Sequence, residues 1–284
     1  MSFLEKIFGV AKQRNARVVF PELDDSRVAD AARTLEREGL CSPLPLEDIK
    51  ESHVTALVKA RGMKDAMARR LLSKPLYRAA AMVASGDADA MVAGANSPTR
   101  RVIEAAAMAI GLDEGVDTPS SFFLMLFPDG REMIFADCAV NPTPNAAQLA
   151  DIARASQASA LSLLGVANLA MLSFSTGTSG AGDPVELVRA ATEATGFPGP
   201  IQADAALNPA IAAKKGIEAS APANTLIFPD LNAGNIAYKL CQELAGAQAL
   251  GPFLQGFRRP VCDLSRGASV GDIIAATAVT VAMT

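Results

Sequence analysis

The feature that most limits how this chain can fold is a recurrence of short, unbroken apolar runs, each followed by a longer stretch of helical periodicity. Residues 17–20, 90–95, 122–127, 132–139, 168–175, 225–229 and 260–264 read as strands. Most show no polar alternation, which suits strands covered on both faces, as in a parallel sheet packed between helices. One pair departs from this: FFLMLF and EMIFADC flank Pro128-Asp129-Gly130, a hairpin signal, so the sheet is expected to be mixed. Between the runs, residues 24–39 place Val28, Ala31, Ala32 and Leu35 on one helix face. A helix after the Pro-rich turn NPTPN is expected to stop at Gly165. GDPVELVRAATEATG predicts Asp183 as N-cap, Pro184 at the first helical position, Glu186 as box partner and Gly196 as the stop. Strand and helix in alternation mean an α/β fold. The 284 residues fit one large domain or two modest ones, and 50% hydrophobic content supplies a core.

Composition removes several functions. A net charge of −4 argues against a nucleic-acid partner, which needs a clustered positive field. No tryptophan and two tyrosines leave little for base stacking. The apolar stretch 273–283 is about half the roughly 20 residues of a membrane span, so no membrane partner is expected. The amino end lacks an apolar core followed by a cleavage site, and Cys41, Cys138, Cys241 and Cys262 have no CxxC spacing; reduced thiols in the cytoplasm are the expectation. The single histidine, His53, forbids a multi-histidine metal site, and it reads as a surface helix residue.

Three loops that follow strands are the candidate sites, because ligands in open α/β sheets bind beyond the carboxyl ends of strands. LSFSTGTSGAGD brings Ser175, Thr176 and Gly177 into a turn whose amides can wrap an anion or simply join strand to helix. It has neither GxxxxGK[ST] nor GxGxxG, so no Walker loop or Rossmann cofactor is indicated. IFPDLNAGNIAYKL offers Asp230 or Asn232 as a cap and Asn235 in the first turn, for capping alone or for an anion at the helix end. RPVCDLSRGASVGDII carries Asp263, Ser265 and Arg266, whose guanidinium suits phosphate. Asp272 lies seven residues past Ser265; Ser269-x-x-Asp272 is also a capping box.

FADCAVNP, SFSTGTSG, QADAALNP, FPDLNAGNIAYK, GPFLQG and PVCDLSRGAS, in this order and with FPELDDSRV and PLYRAAAMVASGDADAMVAGA before them, resemble the phosphate acetyltransferase and phosphate butyryltransferase family over nearly the whole chain. The acetyl branch is the nearer one. The resemblance implies two three-layer α/β/α lobes with a cleft between them, similar to the isocitrate and isopropylmalate dehydrogenases. Residues 1–123 with 254–284 would form the first lobe and 124–253 the second, with a homodimer formed through the second lobe's apolar helices. It implies reversible acetyl transfer between coenzyme A and phosphate, with coenzyme A as co-substrate, no tightly bound cofactor and no metal. Ser265, Arg266 and Asp272 fall on the catalytic positions; Ser175, Thr176, Gly177, Asn235, Arg100 and Arg101 are candidate substrate-binding residues. The chain departs from the family pattern in three ways. Glu104 and Glu243 stand where arginines are usual, and LCSPLPLEDIKESHV bridges a missing strand-helix-strand unit. The alternatives are a member that binds acyl phosphate without turnover, transfer of another acyl group, and a dehydrogenase of the same fold class.

Overall fold

A computed structural model describes residues 2–217 and 221–284. In chain order the elements are α1 (Phe3–Arg14), β1 (Arg17–Val19), α2 (Ser26–Arg37), β2 (Ser42–Leu44), α3 (Glu51–Arg61), α4 (Asp65–Leu72), α5 (Pro75–Ser85), β3 (Ala90–Ala93) and α6 (Thr99–Ala109). There follow β4 (Ser120–Leu126), β5 (Glu132–Ala136), α7 (Ala146–Leu164), β6 (Leu169–Met171), α8 (Asp183–Thr195), α9 (Ala203–Leu207), α10 (Pro209–Lys214), β7 (Thr225–Ile227) and α11 (Leu231–Ala245). The chain closes with β8 (Gln248–Gln255), β9 (Val261–Asp263) and α12 (Val270–Ala282). The fold is mixed α/β, and the chain divides into two compact units, Met1–Gly115 with Gly251–Thr284, and Val116–Leu250.

In the first unit the strand order is β2-β1-β3-β9-β8. The pairs β1–β2, β1–β3 and β3–β9 are parallel, and β8 runs antiparallel to β9. The apolar stretch 273–283 is explained here: from Ile273 to Ala282 nearly every residue of α12 is buried, as in a helix enclosed by protein. It packs on α1 and α2 and against β3 and β9. The predicted face of α2 is the one observed, with Val28, Ala31, Ala32 and Leu35 buried.

In the second unit the order is β4-β5-β7-β6. The predicted hairpin is present: β4 and β5 pair antiparallel, and Gly130 N donates to Phe127 O at 3.0 Å across the turn. The remaining pairs, β5–β7 and β6–β7, are parallel, so the sheet is mixed. α7 packs on these strands and α8 on α7. Phe123 stacks on Tyr238 of α11 with ring centroids 4.1 Å apart, and Phe135 meets Phe228 at 5.3 Å.

Several expectations need correction. The N-cap of α8 is Gly182; Asp183 and Pro184 occupy the first two helical positions and Glu186 pairs with Arg189 instead of closing a box. β2 and β8 were missed, β8 because Gly251 and Pro252 interrupt its run. His53 lies on α3 as expected, but it is 0% exposed rather than on the surface. Its Nε2 bonds Asp87 Oδ2 at 2.8 Å, which satisfies a ring that burial would otherwise penalise. Asp87 also pairs with Lys50, so the segment 42–61 is fastened to the α5–β3 turn.

Candidate active site

The loop after β9 is built by local rules and fastened by distant ones. Leu264 N donates to Ala93 O at 2.6 Å, so the end of β9 is tied to β3. A turn follows in which Ala268 N donates to Ser265 O at 2.9 Å. Gly267 N reaches Ser265 Oγ at 3.3 Å. The side chains of Ser265 and Arg266 are exposed on this turn. Its backbone is held by Arg27, whose guanidinium donates to Arg266 O at 2.8 Å, Ala268 O at 3.0 Å and Ala95 O at 3.2 Å. Arg27 is itself gripped by Asp25, the N-cap of α2, at 2.7 Å. The hydrogen bonds from Arg27 hold the Asp25 carboxyl down at about 2. A planar cation spanning three carbonyls fixes a loop better than a single ammonium could.

The capping box predicted at Ser269 is present. Asp272 N donates to Ser269 Oγ at 3.1 Å, while Ser269 N and Oγ donate to Asp272 Oδ2 at 3.0 and 2.7 Å. Asp272 is thus presented in a fixed orientation on the first turn of α12. Ser265, Arg266 and Asp272 therefore sit on one turn and the helix start that follows it.

Two buried carboxyls lie beneath this loop. Glu22, after β1, accepts the backbone N–H groups of Gly94, Ala95 and Ser97 at 2.8 Å each and of Asn96 at 3.3 Å, holding the turn after β3. Asp263 ends β9 and is 1% exposed. Its Oδ2 accepts from Thr99 Oγ1 at 2.6 Å, whereas Oδ1 is buried with no hydrogen-bond partner. Burial pushes the Asp263 carboxyl up to about 7; the Thr99 bond and nearby Arg266 oppose this and the Glu22 charge adds to it. Gly94 makes the fit possible: at φ +106°, a Cβ there would lie 2.4 Å from Asp263 Oδ1 and 2.7 Å from Leu264 N.

Arg100 and Arg101 lie in the first turn of α6, and both pair with Glu104, at 2.9 and 3.6 Å, so this acidic residue draws both cations to itself.

The other expected residues lie on the second unit. Ser175 is fully buried; its Oγ accepts from Gly180 N at 2.8 Å and lies 3.3 Å from Ser179 Oγ. Thr176 Oγ1 exchanges bonds with Gln202, and Gly177 (φ +56°) accepts from Arg189 at 3.0 Å. The hydroxyls of Ser175 and Thr176 thus fold the loop upon itself. Asn235 lies just past the first turn of α11, which Asp230 caps through Ala233 N at 2.9 Å, and its Nδ2 donates to Cys138 O at 3.1 Å. A Cβ on Gly234 would come 2.4 Å from Asp137 O, so α11 lies against the 137–138 backbone. Asp137, buried, accepts from the N–H groups of Ala139, Val140 and Asn141. Burial raises the Cys138 thiol well above its usual range, which suits packing rather than nucleophilic attack.

Among the described residues, Glu47, His53 and Asp87 bring ligand-type atoms within 4.8 Å of one another. The Lys50 ammonium pairs with both of the acids there.

Sequence reasoning passed over Glu22, Arg27 and Thr99. Their signal was position: Glu22 follows β1, Arg27 lies in the first turn of α2 and Thr99 begins α6, all just beyond strand ends where ligands gather.

These features fit an α/β enzyme with its polar groups at strand ends. The sequence model of the phosphate acetyl/butaryl transferase family matches residues 2–56 and 46–281, and the chain belongs to that family. It is 39% identical over 330 aligned positions to the phosphate acetyltransferase of Treponema pallidum, covering 99% of this chain and 98% of that one. A crystal structure of a phosphotransacetylase from Streptococcus pyogenes superposes with a TM-score of 0.90 at 34% identity, covering 98% of each chain. A putative 4-hydroxythreonine-4-phosphate dehydrogenase from Salmonella typhimurium shares the fold alone, with a TM-score of 0.55 and 13% identity over 95% of this chain and 99% of that one. The two family matches overlap at 46–56, and the first alignment is longer than this chain of 284 residues.

Proposed function

We propose that the chain is a phosphate acetyltransferase: it moves an acetyl group reversibly between coenzyme A and phosphate, with coenzyme A as co-substrate. The observation that carries this is near-full-length similarity to a phosphate acetyltransferase at 39% identity, joined to a Ser265–Arg266 turn and a capped Asp272 on adjoining positions.

In the proposed reaction Asp272 accepts the proton of the coenzyme A thiol. The thiolate attacks the carbonyl carbon of acetyl phosphate; the new S–C bond forms, the C–O bond to phosphate breaks, and phosphate leaves with the electron pair. Ser265 donates a hydrogen bond to the carbonyl oxygen as charge develops on it. Arg266 holds the phosphate and neutralises the leaving charge. The exposure of Arg266 supports an anion-binding role, and the box with Ser269 supports a fixed base. Arg100 and Arg101, already paired with Glu104, are assigned a weaker part in phosphate binding; Ser175, Thr176, Gly177 and Asn235 are assigned to shaping the second unit's loops toward substrate.

The same reading includes a cytoplasmic homodimer. Four free cysteines agree with the first part. Among the described residues no helix is long and apolar enough to cross a membrane. Ile236, Leu240 and Leu244 form an exposed apolar stripe on α11 at helical spacing, which agrees with a subunit contact.

The test mixes purified protein with acetyl phosphate and coenzyme A and follows thioester absorbance. Acetyl-CoA formation is expected, with Arg266→Ala and Asp272→Asn each lowering kcat/KM by about 10²–10⁴. No thioester in the wild type overturns the function; undiminished activity in both variants overturns the roles.

A further inference from the structure

The proposed reaction leaves one group of the first unit unused. Asp263 has 1% of its surface exposed, two residues before Ser265 and three before Arg266. One carboxyl oxygen is anchored by Thr99 at 2.6 Å and the other is buried without a hydrogen-bond partner. A buried oxygen left in that state is costly if it carries charge. Its place is nonetheless tightly specified. The Gly94 backbone leaves no room for a Cβ beside Oδ1, and Leu264 N clamps the strand end to Ala93 O.

The charged groups facing it come from every side. Glu22, with Arg27 beside it, lies across the Gly94 backbone from the β1–α2 connection. The Thr99 hydroxyl comes from α6, and Arg266 from the loop that Asp263 itself begins. Arg266 lies close enough for its charge to be felt by Asp263, yet no ion pair joins them.

We propose that Asp263 is a positioning residue for the anion site, anchoring the strand end that presents Ser265 and Arg266 and setting, through its own charge, how much of the Arg266 charge a bound acyl phosphate meets. This rests on the reading of Arg266 as the phosphate holder. A neutral Asp263 leaves the Arg266 charge whole. An ionised one adds a second buried negative charge beside Glu22 and opposes a dianion at Arg266. Burial and the Glu22 charge keep the carboxyl protonated up to about 7, so the change falls in the physiological range.

The test measures the Kd of acetyl phosphate by calorimetry without coenzyme A, so that no turnover is required, from pH 6 to pH 9. In the wild type, Kd rises about fivefold across this range. In Asp263→Asn, which keeps an acceptor for Thr99, Kd stays flat. Thr99→Val removes a bond that favours the charged carboxyl, so the midpoint moves to higher pH. Arg266→Ala is measured alongside. If it binds as the wild type does, the reading of Arg266 fails and this proposal with it. If it loses the ligand while Asp263→Asn follows the wild-type curve, this proposal alone falls. If Asp263→Asn does not fold, an unmoved midpoint in Thr99→Val overturns the proposal.

Discussion

Replacing Gly94 with alanine tests the packing that holds the site. Gly94 has φ +106°, a conformation that side chains rarely adopt, and that strain costs about 1–3 kcal/mol. The added Cβ would lie 2.4 Å from Asp263 Oδ1, 2.7 Å from Leu264 N and 2.8 Å from Leu264 O. Two of these three atoms are backbone at the end of β9, so no rotamer change relieves the clash, and such overpacking costs about 1–3 kcal/mol more. Together they amount to about 2–6 kcal/mol. Gly39 is the control: it has φ +66° but nothing within 4 Å of an added Cβ, so Gly39→Ala carries only the cost of a left-handed residue, about 1–2 kcal/mol. Urea unfolding followed by far-ultraviolet circular dichroism gives both values. Gly94→Ala should be less stable than Gly39→Ala by about 1–4 kcal/mol, and it should raise KM for acetyl phosphate because the end of β9 leads into the loop of Ser265 and Arg266. A difference below about 1 kcal/mol would show that the strand end yields freely, and the account of a rigid platform beneath the loop would fail.

Other consequences follow from the same geometry. Ser269→Ala removes the cap of α12 and both side-chain bonds to Asp272, so stability falls by about 1 kcal/mol while kcat falls further than that loss explains; thermal unfolding and steady-state rates separate the two. Cys138, buried with its thiol raised, should resist iodoacetamide in the folded protein and react in urea, as mass spectrometry of peptides would show. Asp263 makes stability depend on pH in a defined direction. Its folded value, about 7, is above its ordinary value of 3.8, so the folded state binds the extra proton between them. The contribution of Asp263 is therefore full below pH 4, is lost as pH rises toward 7, and changes no further above it. The total is of the order of a few kcal/mol, and Asp263→Asn should flatten this slope in urea titrations at pH 5 and pH 8.

Features made within a few residues were legible in the sequence. The Pro128-Asp129-Gly130 hairpin, the caps at Asp230 and Ser269, the stops at Gly165 and Gly196, and the buried face of α2 each follow from turn chemistry or helical period. The same holds for the placement of Ser265, Arg266 and Asp272 on a strand-end turn and the helix after it. Where local signals conflicted, reading failed. The Gly251–Pro252 pair hid β8, and a polar neighbourhood hid the burial of His53.

Tertiary structure alone decided which distant groups meet. Arg27 grips the backbone of Arg266 across 239 positions of sequence, Glu22 gathers four amides more than 70 positions away, and Thr99 reaches Asp263 across 164. No periodicity encodes such pairs, because they exist only once parallel strands bring the ends of β1, β3 and β9 side by side. The chain thus carries Ser265, Arg266 and Asp272 in one short stretch, and the order of its strands brings in the distant groups that hold that loop.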